Sequence, residues 1–213
     1  MKQYGLILQT ATNPSLIILT KDQKIEKIFI IEDSHKISSL LMPAIEIFFK
    51  ENKISVKDLK YIATSKGPGS FTGVRVGASI AKAFSYAQKI PLIAYNSLEI
   101  LTSAKNPSTV LALDAKSSGV YIQRPSLKNQ PIQLVKNEQL DFILKEKDRI
   151  YTLSKESLDK KLPSYTKKEI NIFDTPINKR YLLQLVEERF SKKDFTTDGD
   201  FEVIYLSGPN VIE

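Results

Sequence analysis

Gly67-Pro68-Gly69-Ser70-Phe71-Thr72-Gly73-Val74-Arg75-Val76-Gly77 concentrates four of the chain's eight glycines in eleven residues. The run closes a β-like segment (Tyr61-Ile62-Ala63-Thr64) and opens an alanine-rich helical pattern. Glycines clustered between a strand and a helix serve one of two chemistries. They let backbone amides wrap a phosphate at the helix start, or they let the helix pack tightly on its own core. The run lacks the Gly-Lys-Ser/Thr ending of a P-loop, and its spacing does not match the dinucleotide-binding fingerprint. Motif shape alone favours the tight turn. One histidine, His35, and no cysteine exclude a His-pair or thiolate metal centre built from these residues.

The composition sets the scale of the elements that must position this run. With 213 residues, 42% of them hydrophobic and 26% charged, the chain reads as a soluble globular protein of one large domain or two small lobes. No apolar run reaches membrane-spanning length, and the start is too short and too soon polar for a signal peptide, so no membrane association is expected. The absence of cysteine fits a reducing cytoplasm. Net charge is +7, distributed as +6 over residues 1–123 and +1 over 124–213. Lysine outnumbers arginine, which favours diffuse attraction to an acidic protein or a nucleic acid over bidentate phosphate recognition. A generally lysine-rich composition explains the same excess.

Gly5–Gln9, Ser15–Thr20 and Ile25–Ile31 read as strands of an antiparallel meander. A helix follows over about 34–52, with Asp33 or Ser34 as cap and a kink or delayed start expected at Pro43. Leu59–Ser65 is a strand, Thr72–Gln88 a helix and Pro91–Tyr95 a short strand; Ser97 is read as the cap of a helix reaching about Ala104. Three antiparallel strands followed by alternating helix and strand suggest a ribonuclease H-like lobe. Lys105-Asn106-Pro107-Ser108 is the linker candidate, which divides the chain into residues 1–104 and a smaller, divergent lobe over 105–213. In that lobe Thr109–Leu113 and Gly119–Gln123 read as a hairpin, Ile132–Val135 and Ile150–Leu153 as strands, and Glu138–Lys145 as a short helix. Lys155–Lys168 reads as loop, Asn178–Phe190 as an amphipathic helix and Glu202–Leu206 as a last strand. Leu6-Ile7-Leu8-Gln9-Thr10 and Val110-Leu111-Ala112-Leu113-Asp114-Ala115 are both apolar strands ending in polar turns, consistent with a duplicated lobe.

The Gly67–Gly77 run, followed by Ala81-Lys82-Ala83, Pro91 and Ser97-Leu98-Glu99, closely resembles the TsaB (YeaZ) family of the bacterial tRNA threonylcarbamoyladenosine system. Thr10-Ala11-Thr12 is similar to that family's opening Asp-Thr-Ala-Thr element, and Leu113-Asp114-Ala115-Lys116 with Val120-Tyr121 to its second-lobe Asp-Ala-Arg…Val-Tyr element. The resemblance covers about residues 5–123, with Val203-Ile204-Tyr205-Leu206 reminiscent of the C-terminal strand. It implies a two-lobed α/β fold with mixed sheets, of the actin/Hsp70/sugar-kinase type. It also implies a non-catalytic subunit that pairs with a TsaD-like catalytic subunit through two helices of the first lobe and with itself when alone. A TsaE-like ATPase and tRNA would be reached through the complex, with ATP and a metal on the partner subunits and none assigned to this chain.

Two departures bear on chemistry. Catalytic relatives hold a metal with two histidines in a His-x-Glu-x-His-like element; the similar places here are Ser97 and Leu101, and leucine offers no donor. Actin-like nucleotide enzymes use a carboxylate at the end of the first strand; here that place is Gln9, with Asp114 alone acidic in the matching turn of the second lobe. His35, where family members often carry a histidine, reads as exposed or capping. Arg75 reads as a tether or an interface ion pair, since a helix start prefers anions. Nine apolar residues between Ile37 and Phe49 exceed one buried stripe and leave a surplus for a partner. The resulting interface expectation is Leu40, Leu41, Ile45, Phe48, Arg75, Gly77, Ala78, Ala81 and Phe84. The competing readings are a nucleotide-binding phosphotransferase or hydrolase of actin-like fold, and a basic protein that binds tRNA directly.

Overall fold

β-Branched and aliphatic runs of six to eight residues, separated by short polar turns, set up the first sheet. In a computed structural model, residues 3–102, 104, 106–126, 131–162, 170–197 and 200–204 are described. Strands β1 (Tyr4–Gln9), β2 (Ser15–Lys21) and β3 (Lys24–Ile31) form the antiparallel meander. Asp22 and Gln23, both at positive φ, make the two-residue turn whose twist suits a hairpin. β4 (Leu59–Ser65) lies parallel to β1, and β5 (Leu92–Tyr95) parallel to β4, giving the order β3-β2-β1-β4-β5. Parallel neighbours need crossovers, and α1 (Ile37–Glu51) and α2 (Phe71–Gln88) supply them.

Residue alternation along β1 sends Leu6 and Leu8 to one face of the sheet, where they meet Ile37, Leu41, Ile45 and Phe48 of α1 and Ala78 and Ala81 of α2. Tyr61 of β4 lies on the opposite face. Its hydroxyl donates to Glu187 at 2.7 Å and its ring packs on Phe190, with centroids 5.0 Å apart. Burial pushes the Tyr61 phenol far above its ordinary pKa, and Glu187 reinforces that rise against the lowering contact with Thr20.

The second sheet repeats the plan. β6 (Thr109–Asp114), β7 (Val120–Gln123) and β8 (Gln133–Val135) form an antiparallel meander; β9 (Arg149–Thr152) runs parallel to β6 and β10 (Asn171–Asp174) parallel to β9. Its order, β10-β9-β6-β7-β8, is the order of the first sheet with β6 in the place of β1. The likeness of Leu6–Thr10 to Val110–Ala115 is therefore the likeness of two equivalent central strands. Among the described residues, the short helices α3 (Leu140–Ile143) and α4 (Lys155–Asp159), of four and five residues, take the places in chain order that α1 and α2 take in the first sheet.

Several expectations change. The stretch from Ser97 to Leu101 is a turn and not a helix. The Ser97 hydroxyl shares a 2.6 Å hydrogen bond with that of Ser65. α1 starts at Ile37 after a 3-10 turn at Ser34–Lys36, with Asp33 accepting from the His35 amide, and it runs through Pro43. Lys155–Asp159 is helical because Ser154 accepts from the Ser157 amide, an N-cap absorbed into the presumed loop. β10 was not anticipated, since Asn171-Ile172-Phe173-Asp174 is too short to show alternation. Residues 201–204 are not a strand; Ile204 donates one backbone bond to Lys66. Residues 205–206 of the expected last strand, 163–168 of the expected loop and Lys105 of the linker lie outside the described residues.

The chain divides into two compact units, Met1–Ser97 with Leu182–Ile204, and Leu98–Tyr181. The helix α5 (Lys179–Ser191) thus carries Leu182 and Val186 into the first unit, where a cut at residue 104 would not place them. An amphipathic pattern shows that a helix needs a sheet; it does not show which one. In the second unit Arg124 and Asp148 form a bidentate pair at 2.9 and 2.6 Å, both nearly buried. The Arg124 guanidinium also donates to the Ile143 carbonyl, and Asp148 accepts from the Lys145 amide. Asp148→Asn strands a buried guanidinium and should lower the unfolding free energy by about 3–5 kcal/mol, read from urea denaturation. A loss under about 1 kcal/mol would show that solvent reaches the pair.

Candidate partner-binding surface

The end of β1 and the start of α2 pack closely on one another. An ideal Cβ on Gly73 would lie 2.0 Å from the Thr10 carbonyl oxygen, and one on Gly77 would lie 2.3 Å from Thr10 Oγ1. At Gly73 a side chain would have to move backbone, and at Gly77 it would displace the Thr10 hydroxyl. Thr10 Oγ1 donates to the Gly73 carbonyl at 2.7 Å, and the Ser70 amide donates to the Ala11 carbonyl at 2.7 Å. Several amides of the run are engaged within the protein. Gly67 donates to Ser65 Oγ, Gly73 to Ser70 Oγ, and Val74 to the Ser70 carbonyl. The glycine run therefore fixes where α2 lies.

Gln9 is fully buried beside this junction. Its amide nitrogen donates to Thr12 Oγ1 at 3.1 Å, and its amide oxygen accepts from the Tyr95 hydroxyl at 2.9 Å. Burial pushes the Tyr95 phenol far above its ordinary value, with Arg189 pulling it back, so the set is neutral. In the second unit Asp114 accepts from Ser157, from the Lys116 amide at 2.7 Å and from Lys161 at 2.5 Å. Partial burial works to raise its pKa; the Lys161, Ser157 and Lys116 hydrogen bonds and the Lys161 charge outweigh it and hold the carboxyl below the ordinary range. Leu101 packs with Leu98, Leu111 and Leu113. Among the described residues no group of three His, Cys, Asp or Glu side chains could hold a metal.

α1 and α2 lie side by side, with Phe49 and Phe84 in ring contact at 6.4 Å. Of the nine residues expected at an interface, Leu41, Ile45, Phe48, Gly77, Ala78 and Ala81 are buried in the core of their own unit, and Phe84 is partly buried against it. Gly77 admits Thr10 and Thr64 rather than a helix from outside. Leu40 and Arg75 are exposed, and the Arg75 guanidinium lies 3.9 Å from the Phe71 ring centroid. Leu40, 37% exposed, and Ile47, 51% exposed, share the flank of α1 that runs toward Phe48 and its ring contact with Phe29 of β3. Met42, 38% exposed, and Glu46 share the flank of Phe49, beside α2. On α2 the outer positions are Arg75, Ser79, Ala83 and Tyr86, the last 88% exposed.

Met42, Ala83 and Tyr86 are surface residues that the expected set lacks. Met42 stands seven residues from the buried Phe49, whereas Ala83 and Tyr86 stand neither four nor seven from a buried residue of α2 and carry no such spacing signal. His35 is exposed in the 3-10 turn. No helix among the described residues is long and apolar enough to cross a membrane.

A family model described as TsaD, tRNA N6-adenosine threonylcarbamoyltransferase, matches residues 32–180. The tRNA threonylcarbamoyladenosine biosynthesis protein TsaB of Bacillus subtilis is 33% identical over 144 residues, which cover 63% of this chain and 62% of that protein. The protein of the same name from Buchnera aphidicola subsp. Schizaphis graminum is 35% identical over 122 residues, 54% of this chain and 58% of its own length. The chain thus spans little more than half the length of these curated relatives. Among solved structures, YeaZ from Pseudomonas aeruginosa superposes with a TM-score of 0.69 over 96% of this chain and 100% of its own, at 18% identity. That likeness establishes the two-lobed fold.

Gly73→Ala should cost about 1–3 kcal/mol, because a backbone carbonyl and not a flexible side chain must give way. Circular dichroism melts measure it; an unchanged Tm would show that the junction is loose. Asp114 contributes stability that is present above the unfolded carboxyl value, about 3.9, and is lost as the pH falls through the lower folded value. Asp114→Asn should therefore weaken the protein at pH 7 and narrow the stability gap between pH 7 and pH 3. Parallel pH curves for the two proteins would remove Asp114 from the acid response.

Proposed function

The chain belongs to the TsaD-type family whose model spans residues 32–180, and within it to the TsaB (YeaZ) branch; on that footing we propose that it is a non-catalytic subunit in the formation of threonylcarbamoyladenosine in tRNA. Its part is to bind and support a TsaD-like catalytic subunit through the outer face of α1 and α2. The observation that carries this reading is the apolar surplus on those helices. Met42, Ala83 and Tyr86 are exposed beside a core that is already complete beneath them. Exposed apolar groups on adjacent helices are contact surface for a partner helix pair. The same face would pair with a second copy when the catalytic subunit is absent. Nucleotide and metal chemistry belong to the partners in this scheme, with a TsaE-like ATPase and tRNA reached through the complex and the whole in the cytoplasm.

The state of the two acidic places supports a subunit without chemistry of its own. Gln9 brings no charge to the end of β1, and its amide is engaged by Thr12 and Tyr95. Asp114 is held by Lys161 and Ser157. Magnesium handling in an actin-like fold needs carboxylates that can turn to the ion.

Light scattering after size exclusion, on the protein alone and mixed with the TsaD-like subunit of the same genome, tests the proposal. A dimer that converts to a one-to-one complex is expected. Met42→Asp and Ala83→Asp, both outside the core, should weaken that complex by about tenfold or more, since each buries a charge against apolar surface. A protein that ignores the catalytic subunit would overturn the proposal.

A further inference from the structure

Along the other flank of α2 runs a shallow cleft of about 250 Å³, lined by Arg75, Ala78, Ser79, Lys82, Phe201 and Val203. Arg75 and Lys82 are the only charged residues in the eighteen of α2, and they stand seven apart on one side of it. Each is held over an aromatic ring. The Arg75 guanidinium sits 3.9 Å from the Phe71 centroid, and Lys82 Nζ sits 5.2 Å from that of Phe201. Ser79, exposed, lies between them, and Ala78 and Val203 supply an apolar wall.

Long cationic side chains ordinarily lose rotamer freedom when they bind. Those already resting on rings lose less, so the two cations are pre-organised around the space between them. A guanidinium has five N–H donors and an ammonium three, enough for a new acceptor besides any present contact. A bare inorganic anion would use the charges and ignore the wall. A carboxylate on a short aliphatic stem uses both.

We infer that this cleft receives an aspartate or glutamate side chain from a helix of the partner subunit, its carboxylate between Arg75, Ser79 and Lys82 and its stem against Ala78 and Val203. The inference rests on the scaffold reading above and adds a charged lock to its apolar contact. The lock would set register: apolar helix faces tolerate sliding, whereas a charge placed one turn away from its partner does not.

Binding of the full-length protein to the TsaD-like subunit, followed by isothermal titration between 50 and 500 mM NaCl, tests it. Lys82→Glu and Arg75→Glu should each raise Kd about tenfold or more at low salt and flatten the salt dependence. Lys82→Met, which keeps the aliphatic stem over Phe201, should fall between those and the wild type. Thermal melts within a few degrees of the wild type would confirm that the variants fold. Charge-reversed variants that bind as tightly as the wild type, with the same salt slope, overturn the inference; if Met42→Asp still weakens binding, the scaffold reading survives. A wild type that does not bind the catalytic subunit overturns both.

Discussion

The contact between the glycine face of α2 and Thr10 at the end of β1 is the constraint on which the first unit depends. With hydrogen as the side chain at Gly73 and Gly77, the helix reaches the strand end closely enough for Thr10 to bond the Gly73 carbonyl. That approach sets the height of α2 above the sheet, which sets where Phe84 meets Phe49 and so where α1 lies. The outer face of both helices, with Met42, Ala83 and Tyr86, inherits its geometry from a junction buried on the opposite side. The glycine run packs the helix against the strand end, and two of its amides, those of Gly67 and Gly73, are turned to Ser65 and Ser70.

A second buried junction lies at the end of the first strand, where Gln9 closes a neutral chain with Thr12 and Tyr95. A fully buried amide with both ends bonded stiffens a strand end without demanding a counter-ion. In the second unit Asp114 keeps its charge and spends it on Lys161 and Ser157, which tie the short helix α4 to the end of β6. Both positions hold elements together.

Most of the first unit was legible in the sequence because its elements are long. Ile37 to Phe49 shows three turns of helical spacing, and the meander is marked by polar turns such as Lys21-Asp22-Gln23-Lys24. The second unit was legible where it repeats β1 and β2, and faded where α3, α4 and β10 shrink to four or five residues, too few for any period to register. The interface expectation was harder to read for a different reason. An apolar residue on a helix announces burial and says nothing of whether its own core or a partner's does the burying. Leu41, Ile45 and Phe48 proved to be the former, and only the sheet beneath them distinguishes them from Met42.

The return of residues 182–204 to the first sheet carries a consequence for how the chain is made. By the time Tyr95 has left the ribosome, all five strands and both long helices of that sheet exist, yet the face bearing Tyr61 still lacks Glu187 and Phe190. At ordinary rates of synthesis the delay before α5 arrives is on the order of ten seconds. Residues 98–181, by contrast, complete a sheet from consecutive segments. The strands of the second sheet can therefore pair while the face of the first sheet that bears Tyr61 still waits for Glu187 and Phe190 of α5.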